Sequence, residues 1–136
     1  MIYGAALSGA KMSIATPKGF EPDKSTVKVS QNLTDIELTT DPLKAAENAD
    51  VVVTDTYSSI HNNDSKRIKK FIPKYQVNDK IMDLAKKNAI FLHCLPAKRD
   101  QEVTSSVIDG PQSVVWDEAE NRLHTQKALL CALLHA

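Results

Sequence analysis

Short apolar runs rich in β-branched residues alternate along this chain with longer stretches where apolar residues recur every three or four positions. Strands and helices that take turns leave this pattern. Residues 1–10 (MIYGAALSGA) carry a helical pattern ending near Gly9, a residue suited to a helix C-cap, but no Ser, Thr, Asp or Asn precedes Met1 to cap its start. The chain therefore reads as entering partway through an element. Lys11–Thr16 (KMSIAT) predicts a strand and Pro17-Lys18-Gly19 a turn. Pro22-Asp23 opens a helix over roughly 23–31, and Ile36–Thr39 predicts a second strand. Asp41-Pro42 signals a helix start, Asp as N-cap and Pro at the first helical position. Val51–Thr54 (VVVT) predicts a strand buried on both faces. A polar loop (Asp55–Ser65) and a basic helical stretch, KRIKKF, follow it. Asp79 is placed to cap a helix over KIMDLAKK, and Ala89–His93 predicts a fourth strand. A short helix is expected near 101–108, a last strand over Ser113–Trp116 (SVVW), and a final helix from Glu118 to the end.

Strands alternating with helices imply an α/β fold, a Rossmann-like parallel sheet with helices on both faces. In such sheets ligands bind beyond the C-terminal ends of the strands. That criterion selects three clusters: Asp55 to Ser59, His93 to Pro96, and Asp117 to Arg122. All three should lie along one edge.

At 136 residues the chain is one domain's worth. Seventeen basic residues balance seventeen acidic ones, which argues against a nucleic-acid partner and against an anionic membrane surface. The longest apolar runs, Val51–Val53 and Ala128–Leu134, fall far short of the roughly 20 residues of a membrane span. No basic segment opens a secretion signal. The two cysteines, Cys94 and Cys131, have no zinc spacing, so a reduced, cytoplasmic setting is expected.

Within the three clusters each candidate has a chemical and a plainer reading. Cys94 could be a nucleophile or proton acceptor if its pKa is lowered, or a small buried apolar residue. Asp55 could hold a substrate ammonium group or cap a turn. Arg122 could hold an anionic or carbonyl oxygen, or pair with Glu118 one helical turn earlier. His61 and the KRIKK run read as solvated surface. The apolar stripe of the last helix, Ala128 to Leu134, should be buried against something, including a partner outside this chain.

Five blocks, in order, carry a family resemblance: ATPKGFEPD (Ala15–Asp23), ELTTDPLKAAENADVVVTD (Glu37–Asp55), KYQVN (Lys74–Asn78), HCLP (His93–Pro96) and EVTSSVIDGPQSVVWDEAENRLHTQKALL (Glu102–Leu130). Together they resemble the ornithine carbamoyltransferases of the aspartate/ornithine carbamoyltransferase family. The resemblance implies a two-domain parent that makes L-citrulline and phosphate from carbamoyl phosphate and L-ornithine in arginine metabolism. Residues 1–136 would be part of its ornithine-binding domain. The Ser-Thr-Arg-Thr-Arg phosphate motif of the carbamoyl phosphate-binding domain has no counterpart here. Neither does the domain's first strand, central in its sheet, so the sheet is expected to be incomplete.

Residue roles are carried over from that resemblance. Cys94 corresponds to the cysteine that accepts the proton as the ornithine nitrogen attacks. Arg122 corresponds to the arginine polarising the carbamoyl oxygen. Leu95 corresponds to the residue whose backbone carbonyl holds the carbamoyl amide, with His93 supporting the loop. Asp55 corresponds to the aspartate orienting ornithine. No metal and no organic cofactor are implied. The family's mobile Asp-x-x-x-Ser-Met-Gly loop reads DTYSSIHNN here. Ser59 is kept, Ile60 replaces Met, and His61 replaces a Gly whose backbone freedom a moving loop would use.

These substitutions leave two alternatives to ornithine carbamoyl transfer: a carbamoyltransferase for another amine, such as putrescine, and a non-catalytic remnant. A chain of this kind is expected to work with a separately encoded first domain, or to self-associate through the surfaces that domain would cover.

Overall fold

The computed structural model describes residues 1–57 and 65–135. Eleven elements follow in order among them: α1 (Ile2–Ser8), β1 (Met12–Ala15), α2 (Lys24–Gln31), β2 (Ile36–Thr39), α3 (Pro42–Ala46), β3 (Val51–Thr54), α4 (Ser65–Phe71), α5 (Asp79–Met82), β4 (Ile90–His93), α6 (Ser105–Ile108) and α7 (Val115–Leu134). Local chemistry explains most boundaries. No side chain caps α1 at its start, and it ends at Gly9 in the left-handed region, φ 72°. Asp23 and Asp41 accept the backbone N–H groups of Thr26 and Leu43, which fixes the starts of α2 and α3.

Three expectations are corrected. β3 is not buried on both faces: Val52 is buried, but Val51 and Val53 on the other face are 42% and 38% exposed. Asn78, not Asp79, caps α5: its side chain accepts the Ile81 N–H, and the helix is only four residues long. SVVW is not a strand. Only Ser113 bridges Phe91, through Phe91 N–H to the Gln112 carbonyl (2.8 Å) and Val114 N–H to the Phe91 carbonyl (3.0 Å). The backbone then turns helical at Val115, whose side chain is fully buried, so α7 begins three residues earlier than expected.

The strands form two parallel pairs, β1 with β2 and β3 with β4, and the pairs are not hydrogen-bonded to each other. Met12 N–H reaches the Asp35 carbonyl and Thr16 N–H the Thr39 carbonyl. Backbone groups alternate in direction along a strand, so Ser13 and Ala15 turn theirs away from β2. Ile90 N–H reaches the Asp50 carbonyl, and the same alternation turns Val51 and Val53 away from β4. Ser13, Ala15, Val51 and Val53 line one cleft, with Ala45 and Ala46 of α3 beside it. This arrangement fits the expectation of an incomplete parallel sheet.

The larger core lies around β4 and joins Phe91, Val103 and Val115, all fully buried, to Val52, Ile81, Met82 and Ile108. A second cluster stacks Tyr57 on Phe71, ring centroids 4.6 Å apart, with Tyr75 alongside. Tyr57 donates its hydroxyl to the Tyr75 carbonyl, and Tyr75 donates its own to the Thr40 carbonyl (2.8 Å). The cluster therefore ties β3, α4 and the β2–α3 turn together.

Candidate active site

Because β3 and β4 are parallel and in register, Thr54 opposite His93, the residues that follow them emerge side by side. Asp55 and Cys94, 39 positions apart, meet there: Cys94 Sγ donates to Asp55 Oδ1 at 3.2 Å. The same Oδ1 accepts the Thr56 N–H at 2.7 Å, which fixes the carboxylate. Cys94 is exposed as a residue. Loss of water around the sulfur nevertheless pushes its pKa up, and the hydrogen bond and charge of Asp55, then the charge of Glu118, add to the rise. The lowered pKa that an activated thiolate would need is not found. At rest Cys94 is a thiol.

The turn after β4 is shaped by buried polar groups. His93 is fully buried, and its Nδ1 accepts the Leu95 N–H at 2.9 Å. Leu95 has φ 53°, a left-handed conformation that costs a non-glycine residue roughly 1 kcal/mol or more. The hydrogen bond to His93 holds it there. On its far side His93 Nε2 faces Glu102 Oε1 at 3.5 Å, close enough for electrostatic contact but long for a hydrogen bond.

Cys94, Leu95, Pro96 and Ala97 form one wall of an open groove of about 580 Å³, and Trp116, Ala119 and Arg122 of α7 form the other. Arg122 is exposed, and no ion pair joins it to Glu118. The plainer reading of Arg122 is thus not realised, and its guanidinium is available to a ligand in the groove. Arg99, also on the groove, is engaged by Asp109 through two hydrogen bonds of 2.7 and 3.1 Å.

Asp55, His93, Cys94, Leu95 and Arg122, nominated from the sequence, therefore converge. Ser59 and Ile60, with His61, lie outside the described residues. Sequence reasoning missed Glu102, a fully buried carboxylate that joins the site from behind His93. No sequence signal marked it, because Glu102 lies in the polar run KRDQEVTSS (Lys98–Ser106), where an acidic residue reads as solvated surface. Sequence reasoning placed Glu118 in the third cluster but gave it no role beyond pairing with Arg122. Glu118 instead acts on Cys94 and keeps Oε2 buried without a hydrogen bond.

The family model for the aspartate/ornithine carbamoyltransferase Asp/Orn binding domain matches residues 1–133. An ornithine carbamoyltransferase from Cenarchaeum symbiosum is 58% identical over 133 residues, covering 98% of this chain and 44% of that protein. Among solved structures, ornithine carbamoyltransferase from Pyrococcus furiosus superimposes with a TM-score of 0.88 at 46% identity, covering 95% of this chain and 43% of that one. The anabolic enzyme from Campylobacter jejuni gives 0.91 at 35% identity, covering 99% and 46%. The chain thus spans a little under half the length of the relatives it matches.

Proposed function

The chain belongs to the aspartate/ornithine carbamoyltransferase family, and from that membership we propose that it is the ornithine-binding part of a carbamoyltransferase making L-citrulline and phosphate from carbamoyl phosphate and L-ornithine. One observation carries the reading: Cys94, Leu95 and Arg122 line one groove at the C-terminal edge of β3 and β4, and Asp55 at the end of β3 accepts a hydrogen bond from Cys94.

In this reading the Arg122 guanidinium meets the carbamoyl oxygen, where negative charge grows as the amine adds to the carbamoyl carbon. The Leu95 carbonyl accepts from the carbamoyl NH₂. The C–O bond to phosphate breaks and phosphate leaves with the electron pair. The proton shed by the attacking nitrogen passes to Cys94, which must first be a thiolate. Asp55 supplies the link: an ammonium group bound against it offsets the negative charge that holds the thiol protonated. The names of the relatives favour ornithine over putrescine as the amine.

Most of the rate of such a reaction comes from holding two substrates together and stabilising charge. A phosphate-binding partner is therefore required, either a separately encoded first domain or the remainder of a longer chain. No described helix is long and apolar enough to cross a membrane, and the proposed setting is the cytoplasm. Without the partner, copies of the chain are expected to associate through their uncovered apolar surfaces.

The test is complementation. The chain is mixed with, or fused to, a carbamoyl phosphate-binding domain from one of the relatives, and citrulline is measured. Citrulline is expected from the combination and not from the chain alone. Arg122→Ala should lower the rate by about 10²-fold, the loss typical of a donor to a developing oxyanion. A well-formed combination that binds carbamoyl phosphate but makes no citrulline would overturn the reading.

A further inference from the structure

Glu102 plays no part in the proposed reaction, yet it is fully buried beside the site. A carboxylate removed from water is costly unless specific partners receive it. Oε1 accepts the Lys98 N–H and faces His93 Nε2 at 3.5 Å, while Oε2 is buried without a hydrogen bond. The backbone cannot easily shift to relieve this. The Glu102 carbonyl accepts the Val77 N–H at 2.9 Å, the Val77 carbonyl accepts the Thr104 N–H at 3.0 Å, and Val103 bridges both Val77 and Arg99.

Both ends of the turn from Leu95 to Lys98 are thus tied to one buried pair. Lys98 N–H bonds Glu102 directly. Leu95 N–H bonds His93 Nδ1, which occupies that nitrogen as an acceptor and leaves the proton of a neutral ring on Nε2, which is buried 3.5 Å from Glu102 Oε1 without a hydrogen bond.

We propose that Glu102 is a positioning residue for the Cys94–Leu95 turn: through His93 and the Lys98 N–H it fixes the imidazole tautomer, holds Leu95 at φ 53°, and so sets the direction of the Leu95 carbonyl and the Cys94 thiol toward the groove. The role rests on the reading of that groove as the carbamoyl-transfer site, but its test does not. Without an acceptor at 102, the imidazole is free to carry its proton on Nδ1, which then repels the Leu95 N–H and releases the backbone from its left-handed state.

The test uses the full chain with Cys131→Ser, so that Cys94 is its one thiol. Long-range ¹H–¹⁵N spectra of the imidazole at neutral pH should show His93 protonated on Nε2 alone, and any form with a proton on Nδ1 overturns the proposal. Glu102→Gln keeps an oxygen acceptor and should preserve that tautomer, with alkylation of Cys94 by iodoacetamide within about twofold of the parent. Glu102→Leu removes the acceptor and should raise the alkylation rate about tenfold as the turn loosens, the scale of one lost charge-assisted hydrogen bond. A folded Glu102→Leu chain with the parental rate and tautomer overturns the proposal. Should that variant fail to fold, the parental tautomer and the Gln variant decide the matter by themselves. Absence of citrulline in the complementation experiment would sink the reaction while leaving these readouts untouched.

Discussion

The chemistry of the candidate site turns on the contact between Cys94 and Asp55. A hydrogen bond from thiol to carboxylate stabilises the neutral thiol, and the carboxylate charge opposes the thiolate, so both act to raise the Cys94 pKa along with partial burial. Replacing Asp55 with Asn removes the charge and leaves burial as the main remaining cause. The pH midpoint for alkylation of Cys94 should therefore fall, measured with Cys131→Ser so that the other thiol is silent. Saturating L-ornithine should move the midpoint the same way in the parent chain, because its ammonium group offsets Asp55. A midpoint that rises in Asp55→Asn would mean the carboxylate stabilises the thiolate instead. On the proposed reading, a midpoint that falls with L-ornithine would make Cys94 a conditional base, able to accept a proton only once a cationic amine has arrived.

At the scale of elements, the aromatic cluster joins Tyr57, just after β3, to Phe71 at the C-terminal end of α4. Their rings stack at 24° between planes. Phe20 packs edge-on against Phe71 with centroids 5.0 Å apart, which brings in the turn after β1. Phe71→Ala should cost about 3 kcal/mol of stability through lost contacts and an unfilled cavity, read by thermal or denaturant unfolding. Tyr57→Phe keeps the stack, loses only the donor to the Tyr75 carbonyl, and should cost about 1 kcal/mol. Equal losses for the two variants would show that the hydroxyl, not the ring stack, holds the cluster together.

Elements with local chemistry at their boundaries were legible from sequence. Asp41-Pro42 and Gly9 marked helix ends that the structure repeats. The Ser113–Trp116 run misled because β-branched residues next to a strand edge mimic a strand, whereas their burial serves the first turn of α7. Asp117 and Glu118, acidic residues in that first turn, were the better signal. In the site, residues at strand ends could be nominated in advance. The Cys94–Asp55 contact and the role of Glu102 could not, because pairing across 39 positions, or behind a buried imidazole, is a property of the packed fold.

At the scale of the whole molecule, the sequence supplies more apolar surface than the described fold covers. Trp116, Leu123, Leu130 and Leu134 fall on one face of α7 at spacings of seven, seven and four, and each is 60% to 80% exposed. Beyond Ala119 every described residue of this helix is exposed, so about four of its turns pack against little besides the groove that Arg122 lines. The unpaired edges of β1 and β3 leave backbone donors and acceptors in the same position, as templates for another strand. A monomer that exposes both at once is expected to associate or to unfold with low cooperativity. Sedimentation velocity should show the average mass rising with concentration. Leu130→Glu with Leu134→Glu should reduce that rise while helix content by circular dichroism stays the same, because neither side chain packs within the chain. Fusing the phosphate-binding domain should suppress self-association and sharpen the thermal transition, since that domain would cover the stripe. The helix and the strand edges can be separated by one comparison: if the double variant still associates as strongly as the parent, the open edges of β1 and β3 carry the contact, and addition of a peptide that pairs with those edges should then compete with it. A parent chain that stays monomeric at high concentration and melts in one sharp transition would show that neither surface drives association.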